Sequence, residues 1–197
     1  MRSTTEKYEA TDITLNNSAQ NLGSVQGRQM EFEAEFVVDR NAEQGFRFLK
    51  DGNNYASLFY QNGKLTFDIS NLAKIDNVDK YNTYVSDLNL ANGQILKLHV
   101  YLDGSIADVF VNDKDAFSVR LFPTDPNAVN VEAFSTGKTK VRNLKGWNLV
   151  SANGSSTSIN VIENYESMMS SKKFIRNNQI VIYKNGKEYN VAGEIIR

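Results

Sequence analysis

Residues 30–38 read MEFEAEFVV, and this short stretch indicates the fold class. Apolar side chains alternate with carboxylates along it. Such alternation is typical of a half-buried strand, because successive side chains point to opposite faces. We expect one face to lie in a core and the other in water. The expected core face carries Met30, Phe32, Ala34, Phe36 and Val38, and the expected water face carries Glu31, Glu33 and Glu35.

Turn signals follow this strand at short intervals. Asn-Gly and Asp-Gly dipeptides tolerate the positive φ angles of tight hairpins. Four of them border runs typical of strands: Asp51-Gly52, Asn62-Gly63, Asn92-Gly93 and Asp103-Gly104. No long amphipathic helix separates the runs, which favours antiparallel pairing. We therefore expect an all-β protein, an antiparallel two-sheet β-sandwich of the lectin or jelly-roll kind. The predicted strands are Met30–Val38, Gly45–Leu49, Tyr55–Tyr60, Leu65–Ile69, Ile95–Leu102, Ala116–Phe122, Val129–Phe134 and Lys138–Leu149.

The composition changes after Val150 and predicts a domain boundary. Residues 151–158 read SANGSSTS, which is typical of a small polar linker. A second, smaller β pattern follows it. We predict a β-sandwich over residues 1–150 and a linker with a small β tail over 151–197. Met1–Asp12 is polar and mixed in charge, so we do not expect a signal peptide there, and we expect the sequence to begin inside a longer parent.

Composition excludes several classes of function. The formal net charge of −1 gives no general field for nucleic acid or anionic lipid, and no apolar run is long enough to span a membrane. The chain has no cysteine and one histidine, His99, which excludes thiol chemistry, Cys-ligated metal and multi-His sites. No glycine motif for nucleotides occurs. We expect no cofactor, no metal site, no nucleic-acid partner and no membrane span.

The hairpin around Asp103-Gly104 carries the candidate site. With these residues at the centre of the turn, His99 faces Asp108 across the strands, which predicts an ion pair. One face is plain core: Leu96, Leu98, Val100, Ala107, Val109 and Val111. The other face mixes aromatic area with polar groups, as sugar-binding surfaces do. The alternative is that this face packs against another domain or the second sheet. The candidate carbohydrate-binding residues are His99, Tyr101, Asp108 and Phe110.

The segment Lys97–Pro123 resembles the C-terminal β-sandwich of glycoside hydrolase family 32, the levanases, inulinases and invertases. That family often shows a hydrophobic strand, an Asp-x-Ser-x-x-Glu-x-Phe pattern, Asn-Asp-Gly, and a strand ending in Phe/Tyr-Pro. Residues 64–71 (KLTFDISN) and 141–149 (VRNLKGWNL) look like two further strands of that family. The resemblance covers roughly residues 29–150. The positions that align with this pattern are Asp103, Ser105, Asp108, Phe110, Asn112, Asp113 and Phe122-Pro123. The residue type departs at Asp108, where the family more often has Glu, at Gly104, where Arg is more usual, and at Lys114, where Gly is more usual.

The resemblance implies an accessory role rather than catalysis. In that family a preceding five-bladed propeller carries the nucleophilic Asp, in a Trp-x-Asn-Asp-Pro-type motif, and the acid Glu, in a Glu-Cys motif. Here the one Trp is Trp147, and Asp125-Pro126 follows Thr124 where an Arg would complete the family's substrate-binding triplet. The implied function is a non-catalytic sandwich of a fructan-active glycosidase, which supports the propeller and helps to hold polymer. A free-standing lectin-like carbohydrate-binding module and a complete small hydrolase are the alternatives.

The tail is similar to the C-terminal segments of secreted Bacteroidetes proteins. The similarity lies in the basic Lys173, the strand Ile180–Ile182, the turn Asn185-Gly186, the pair Tyr189-Asn190 and Gly193. In those proteins the segment is a small sorting domain that an outer-membrane export machine reads. This resemblance implies an extracellular, cell-surface or periplasmic location. The alternative is an ordinary hairpin that completes the sandwich.

Overall fold

The structure is a computed structural model that describes residues 1–75, 83–150, 172–176, 179–184, 187–190 and 194–196. The chain divides into two compact units, Met1–Val150 and Ser151–Arg197. Every regular element in the described part of the chain is a strand, and the pairing is antiparallel throughout. The predicted all-β class is therefore confirmed. Within these described ranges, no helix is long and apolar enough to cross a membrane.

The first unit contains one continuous ten-stranded sheet that closes over itself. Along its main path the strand order is β6-β5-β4-β3-β10-β2-β7-β8-β9, and β1 pairs with β10. The strands are β1 (Arg2–Gln26), β2 (Gln29–Val37), β3 (Gln44–Asp51), β4 (Asn54–Gln61), β5 (Lys64–Asp68), β6 (Thr83–Asp87), β7 (Ile95–Asp103), β8 (Ile106–Val111), β9 (Asp115–Arg120) and β10 (Asn130–Leu149).

Strand β10 turns this sheet into two layers. Its residues 130–135 pair with β3 in one layer, and its residues 141–148 pair with β2 in the other. Strand β1 pairs with β10 along both parts, with a register shift between Asn16 and Ser18. The bend of β10 includes the buried hydroxyls of Ser135 and Thr139, which hydrogen-bond at 2.8 Å. The two strands predicted at Val129–Phe134 and Lys138–Leu149 are thus one strand that changes layer.

The core between the layers is rich in phenylalanine. The Phe32 ring of β2 lies 4.9 Å from the Phe46 ring of β3, and Phe67 of β5 lies 6.2 Å from Phe117 of β9. These contacts join strands of opposite layers, which confirms the predicted sandwich. The predicted core face of the first strand is also confirmed, since all its members are buried: Met30, Phe32, Ala34, Phe36 and Val38.

Strand β1, like the short strand β6, is an element that the sequence analysis does not predict. It spans 25 residues, and most of its side chains are exposed. Its few buried side chains include Leu15, Leu22 and Val25, which are too widely spaced to give an alternating pattern. Backbone pairing with β10, from Arg2 opposite Leu149 onward, holds the strand in place. The polar N-terminal segment therefore belongs to the sandwich.

The register of the β7–β8 hairpin differs from the predicted one. Asp103 pairs with Ile106, so Gly104 and Ser105 form the turn. Gly104 has a φ of 60° whereas Ser105 has no positive φ, which is the pattern of a type II′ turn. The register moves by two residues, an even number, so every side chain keeps its face. The predicted core face is confirmed, with Val100 directly opposite Val109.

The second unit contains a separate small sheet of the order β11-β12-β13. Its strands are β11 (Lys172–Arg176), β12 (Gln179–Lys184) and β13 (Lys187–Tyr189). The linker predicted at 151–158 and the turn predicted at Asn185-Gly186 lie outside the described residues.

Candidate functional site

An aromatic and polar cluster lies on the outer face of the layer that contains β2, β7 and β8. We call it the outer patch. The His99 and Tyr101 rings are 4.7 Å apart, and the Phe110 ring lies 6.0 Å from each of them. The structure thus brings three of the four predicted sugar-binding residues together. The outer patch consists of Arg2, Glu31, His99, Tyr101, Phe110 and Trp147.

The fourth predicted residue, Asp108, borders the patch without contacting His99 in the way the sequence suggested. It lies opposite Tyr101 across the hairpin, and its carboxylate accepts a hydrogen bond from the Ser118 hydroxyl. The predicted pair of His99 with Asp108 is wrong, because the corrected register places Phe110 opposite His99. The His99 imidazole instead lies 2.7 Å from a carboxylate oxygen of Glu31.

Glu31 is the patch residue that sequence reasoning placed wrongly. The alternation predicts that Glu31 faces water, yet it is 2% exposed. The Nε and Nη2 atoms of Arg2 donate to its two carboxylate oxygens at 2.7 Å and 2.5 Å. The Arg2 guanidinium also covers the Trp147 ring at 3.8 Å. Because Arg2 comes from β1 and Trp147 from β10, no local pattern around Glu31 could have revealed this burial.

The surroundings of Glu31 keep it ionised. Burial alone would raise its pKa, but hydrogen bonds from Arg2, His99 and Tyr101 lower it to about 2. The Tyr101 pKa is raised, first by burial and then by the neighbouring Glu31 carboxylate. The patch therefore contains a fixed carboxylate and a protonated phenol side by side. Both carboxylate oxygens of Glu31 are already bound, so its role is to position Arg2 and His99.

The patch presents aromatic area on the outside of the sheet. The Phe110 side chain is 41% exposed beside the Tyr101 and His99 rings. Rings of this kind stack on the C–H faces of sugars, while nearby polar groups set orientation. Among the residues that the structure describes, no three acidic or histidine side chains come close enough together to hold a metal ion.

The fold and the patch define an antiparallel β-sandwich domain with an aromatic outer face. Residues 1–148 match the family described as "Glycosyl hydrolases family 32 C terminal". The chain therefore belongs to the C-terminal domains of glycosyl hydrolase family 32. The match begins at residue 1 and so includes β1, which the resemblance seen in the sequence did not cover. No curated protein matches the chain in sequence.

Three solved structures with a similar fold are enzymes much longer than this chain. A fructosyltransferase from A. japonicus has a TM-score of 0.64 and 19% sequence identity. The match covers 74% of this chain and 26% of the fructosyltransferase chain. Fructan 1-exohydrolase IIa from Cichorium intybus has a TM-score of 0.65 and 15% identity, and the match covers 75% of this chain and 36% of the exohydrolase. Exo-inulinase from Aspergillus awamori has a TM-score of 0.62 and 17% identity, and the match covers 75% of this chain and 30% of the exo-inulinase. The chain thus spans about a third or less of these proteins.

Proposed function

We propose that this chain is the non-catalytic accessory sandwich of a fructan-active glycosidase. The observation that carries the proposal is the family match over residues 1–148, which covers the C-terminal domain of the family. The similar structures, a fructosyltransferase and a fructan exohydrolase among them, support fructans as the substrate class of the parent. The parent's catalytic propeller would lie outside this chain, and the sandwich would stabilise it.

The outer patch is the proposed carbohydrate-binding surface. Its exposed Phe110 ring and the adjacent Tyr101 ring offer stacking area, and the Tyr101 hydroxyl and His99 imidazole offer hydrogen bonds. Arg2 and Glu31 fix the polar border of this surface. A flat face suits several successive units of a polymer better than a single sugar ring.

Binding of short fructans to the full chain tests this surface. We expect measurable affinity for levan and inulin oligosaccharides in calorimetry, and none for oligosaccharides of unrelated linkage. Tyr101→Ala and Phe110→Ala should each weaken binding about three- to tenfold, since each removes one stacking ring. Tyr55→Ala is the matched control, because Tyr55 is also a partly exposed aromatic residue but lies on β4. Equal affinity in all four proteins would overturn the patch as the binding surface.

Support of a catalytic domain is tested separately. We expect no release of fructose from levan, inulin or sucrose by the full chain alone. We also expect the parent's catalytic domain to unfold at a lower temperature when this sandwich is deleted. A carbohydrate-binding module that does not support the catalytic domain would bind sugar without changing that temperature. Fructose release that one carboxylate substitution abolishes would instead favour a small hydrolase.

We also propose that the protein acts outside the cytoplasm, with residues 151–197 as a sorting segment. The absence of cysteine and the separate β11-β12-β13 sheet are compatible with this role. Deletion of residues 151–197 in the native host should then leave the sandwich in the periplasm, while the full chain reaches the surface or medium. Unchanged export after the deletion would contradict the sorting role.

A further inference from the structure

The two layers separate at one side of the sandwich and leave an open cleft. Strands β6 and β9 are the two ends of the sheet path, so each is the edge of its layer. Between them lies a cavity of about 390 Å³. We call it the edge cleft, and it is separate from the outer patch. The side chains that define it are Leu65, Phe67, Tyr84, Ser86, Asp115 and Phe117.

The strand register shows which side chains face into this cleft. On one wall, Tyr84 lies opposite Phe67 and Ser86 opposite Leu65, so both β6 residues share the face of two core residues. On the other wall, Phe117 lies opposite Val109 and Asp115 opposite Val111, and both valines are buried. Four side chains therefore point between the layers: Tyr84, Ser86, Asp115 and Phe117. A closed sandwich would carry apolar side chains at these positions.

Ser86 and Asp115 are the unusual members of this inner face. Both are exposed although they occupy core-facing positions, because the layers are apart here. The Asp115 carboxylate has no hydrogen-bond or ion-pair partner among the residues that the structure describes. A carboxylate and a hydroxyl beside the exposed Tyr84 ring and the half-buried Phe117 ring make a surface with both stacking area and hydrogen-bond acceptors.

We propose that the edge cleft binds a neutral sugar, namely one or two rings at the end of a glycan chain. The volume lies at the small end of the range for small-molecule pockets, about 300–1,000 Å³, which suits a short ligand rather than a polymer segment. The lining residues include carboxylates but no lysine or arginine, so an anionic sugar phosphate is disfavoured. Acceptor groups beside aromatic walls match the hydroxyls and C–H faces of a sugar. The choice of sugars as ligand class rests on the proposed function.

Titration of the full ¹⁵N-labelled chain with fructose, sucrose and fructose 6-phosphate tests the edge cleft. We expect amide shifts confined to β6 and β9 with the neutral sugars, and weaker shifts with the phosphate. Asp115→Ala and Tyr84→Ala should each lower the affinity by about tenfold, the size of a lost charged hydrogen bond or ring contact. The controls are Asp103→Ala, an exposed carboxylate on the β7–β8 turn, and Tyr55→Ala, an outward aromatic residue on β4.

The outcomes separate this cleft from the outer patch. Shifts on β6 and β9 that the two cleft variants reduce would support the cleft, whatever happens at the outer patch. Shifts only around Tyr101 and Phe110 would overturn the cleft and leave the proposed patch standing. Shifts at neither place would overturn the cleft, while the outer patch would still be decided by the binding of short fructans and the accessory role by the unfolding temperature of the parent's catalytic domain. Stronger binding of fructose 6-phosphate than of fructose would also overturn the cleft proposal.

Discussion

The guanidinium carbon of Arg2 lies 3.8 Å from the centroid of the Trp147 ring, so the first and last strands of the sandwich meet on one outer face. A backbone hydrogen bond reinforces this meeting, since the Val150 amide donates to the Met1 carbonyl at 2.8 Å. The same Arg2 side chain binds Glu31 through two hydrogen bonds. A residue at the start of the chain thus compensates the burial of a carboxylate on β2.

Removal of this guanidinium should destabilise the sandwich. Arg2→Ala removes the guanidinium from the 2%-exposed Glu31, while the His99 imidazole still lies 2.7 Å from its carboxylate. We expect the free energy of unfolding to fall by about 1–3 kcal/mol, the cost of an unsatisfied buried polar group. Urea denaturation measures this loss. Lys7→Ala is the control, because Lys7 is an exposed cation on the same strand, and it should change the free energy by less than about 0.5 kcal/mol. Equal losses in both variants would contradict the role of Arg2.

Stability should fall in acid because of Glu31. Its pKa is lowered from an ordinary value of 4.5 to about 2, so the folded state favours the carboxylate. A lowered folded pKa contributes stability that is fully present above the unfolded pKa and is lost as pH falls through the folded pKa. We expect a loss of up to about 3 kcal/mol between pH 4.5 and pH 2 in urea unfolding. Glu31→Gln should show a shallower decline over the same range, and an unchanged slope in that variant would rule Glu31 out as the cause.

The strands with regular alternation could be predicted from the sequence because their information is local. The Met30–Val38 run alternates cleanly, and Asn62-Gly63 occupies a turn in which both residues have positive φ angles of 50° and 79°. The core-facing side chains of the β7–β8 hairpin could be assigned even with the wrong turn centre. An even error in register does not move side chains to the other face.

The outer patch could be predicted only in part because its polar members come from distant strands. His99, Tyr101 and Phe110 lie on neighbouring strands of one hairpin, so their proximity follows from alternation and pairing. Glu31 looks like a solvated residue until Arg2 of β1 is placed over it. Strand β1 itself has mostly exposed side chains, and its position depends on backbone pairing with β10 rather than on an apolar pattern. The sequence does not predict the edge cleft, because it predicts no strand at β6 and because Tyr84 and Asp115 come to lie between the two layers only after the sheet closes.

The hairpin register makes a prediction about coupling between core residues. Val100→Ala and Val109→Ala should each cost about 1–3 kcal/mol, because both side chains are fully buried. The two residues are directly opposed, so the double variant should depart from additivity by about 0.5 kcal/mol or more. Asp108→Ala, on the outward face of the same hairpin, should cost clearly less in urea unfolding. Strict additivity of the two valine changes would contradict the observed register.

Two strand glycines should differ sharply in their tolerance of a methyl group. A Cβ at Gly45 would lie 2.0 Å from the Leu58 carbonyl oxygen, whereas a Cβ at Gly146 would meet the end of the Leu22 side chain at 2.7 Å. Backbone atoms of a paired strand cannot move without breaking the β3–β4 ladder, but a leucine side chain can change rotamer. We expect Gly45→Ala to lower the free energy of unfolding by more than about 3 kcal/mol and Gly146→Ala by about 1–2 kcal/mol. Hydrogen exchange at Phe59, directly opposite Gly45, should accelerate in the first variant alone. Similar losses in the two variants would mean that β3 and β4 do not approach as closely as the structure shows.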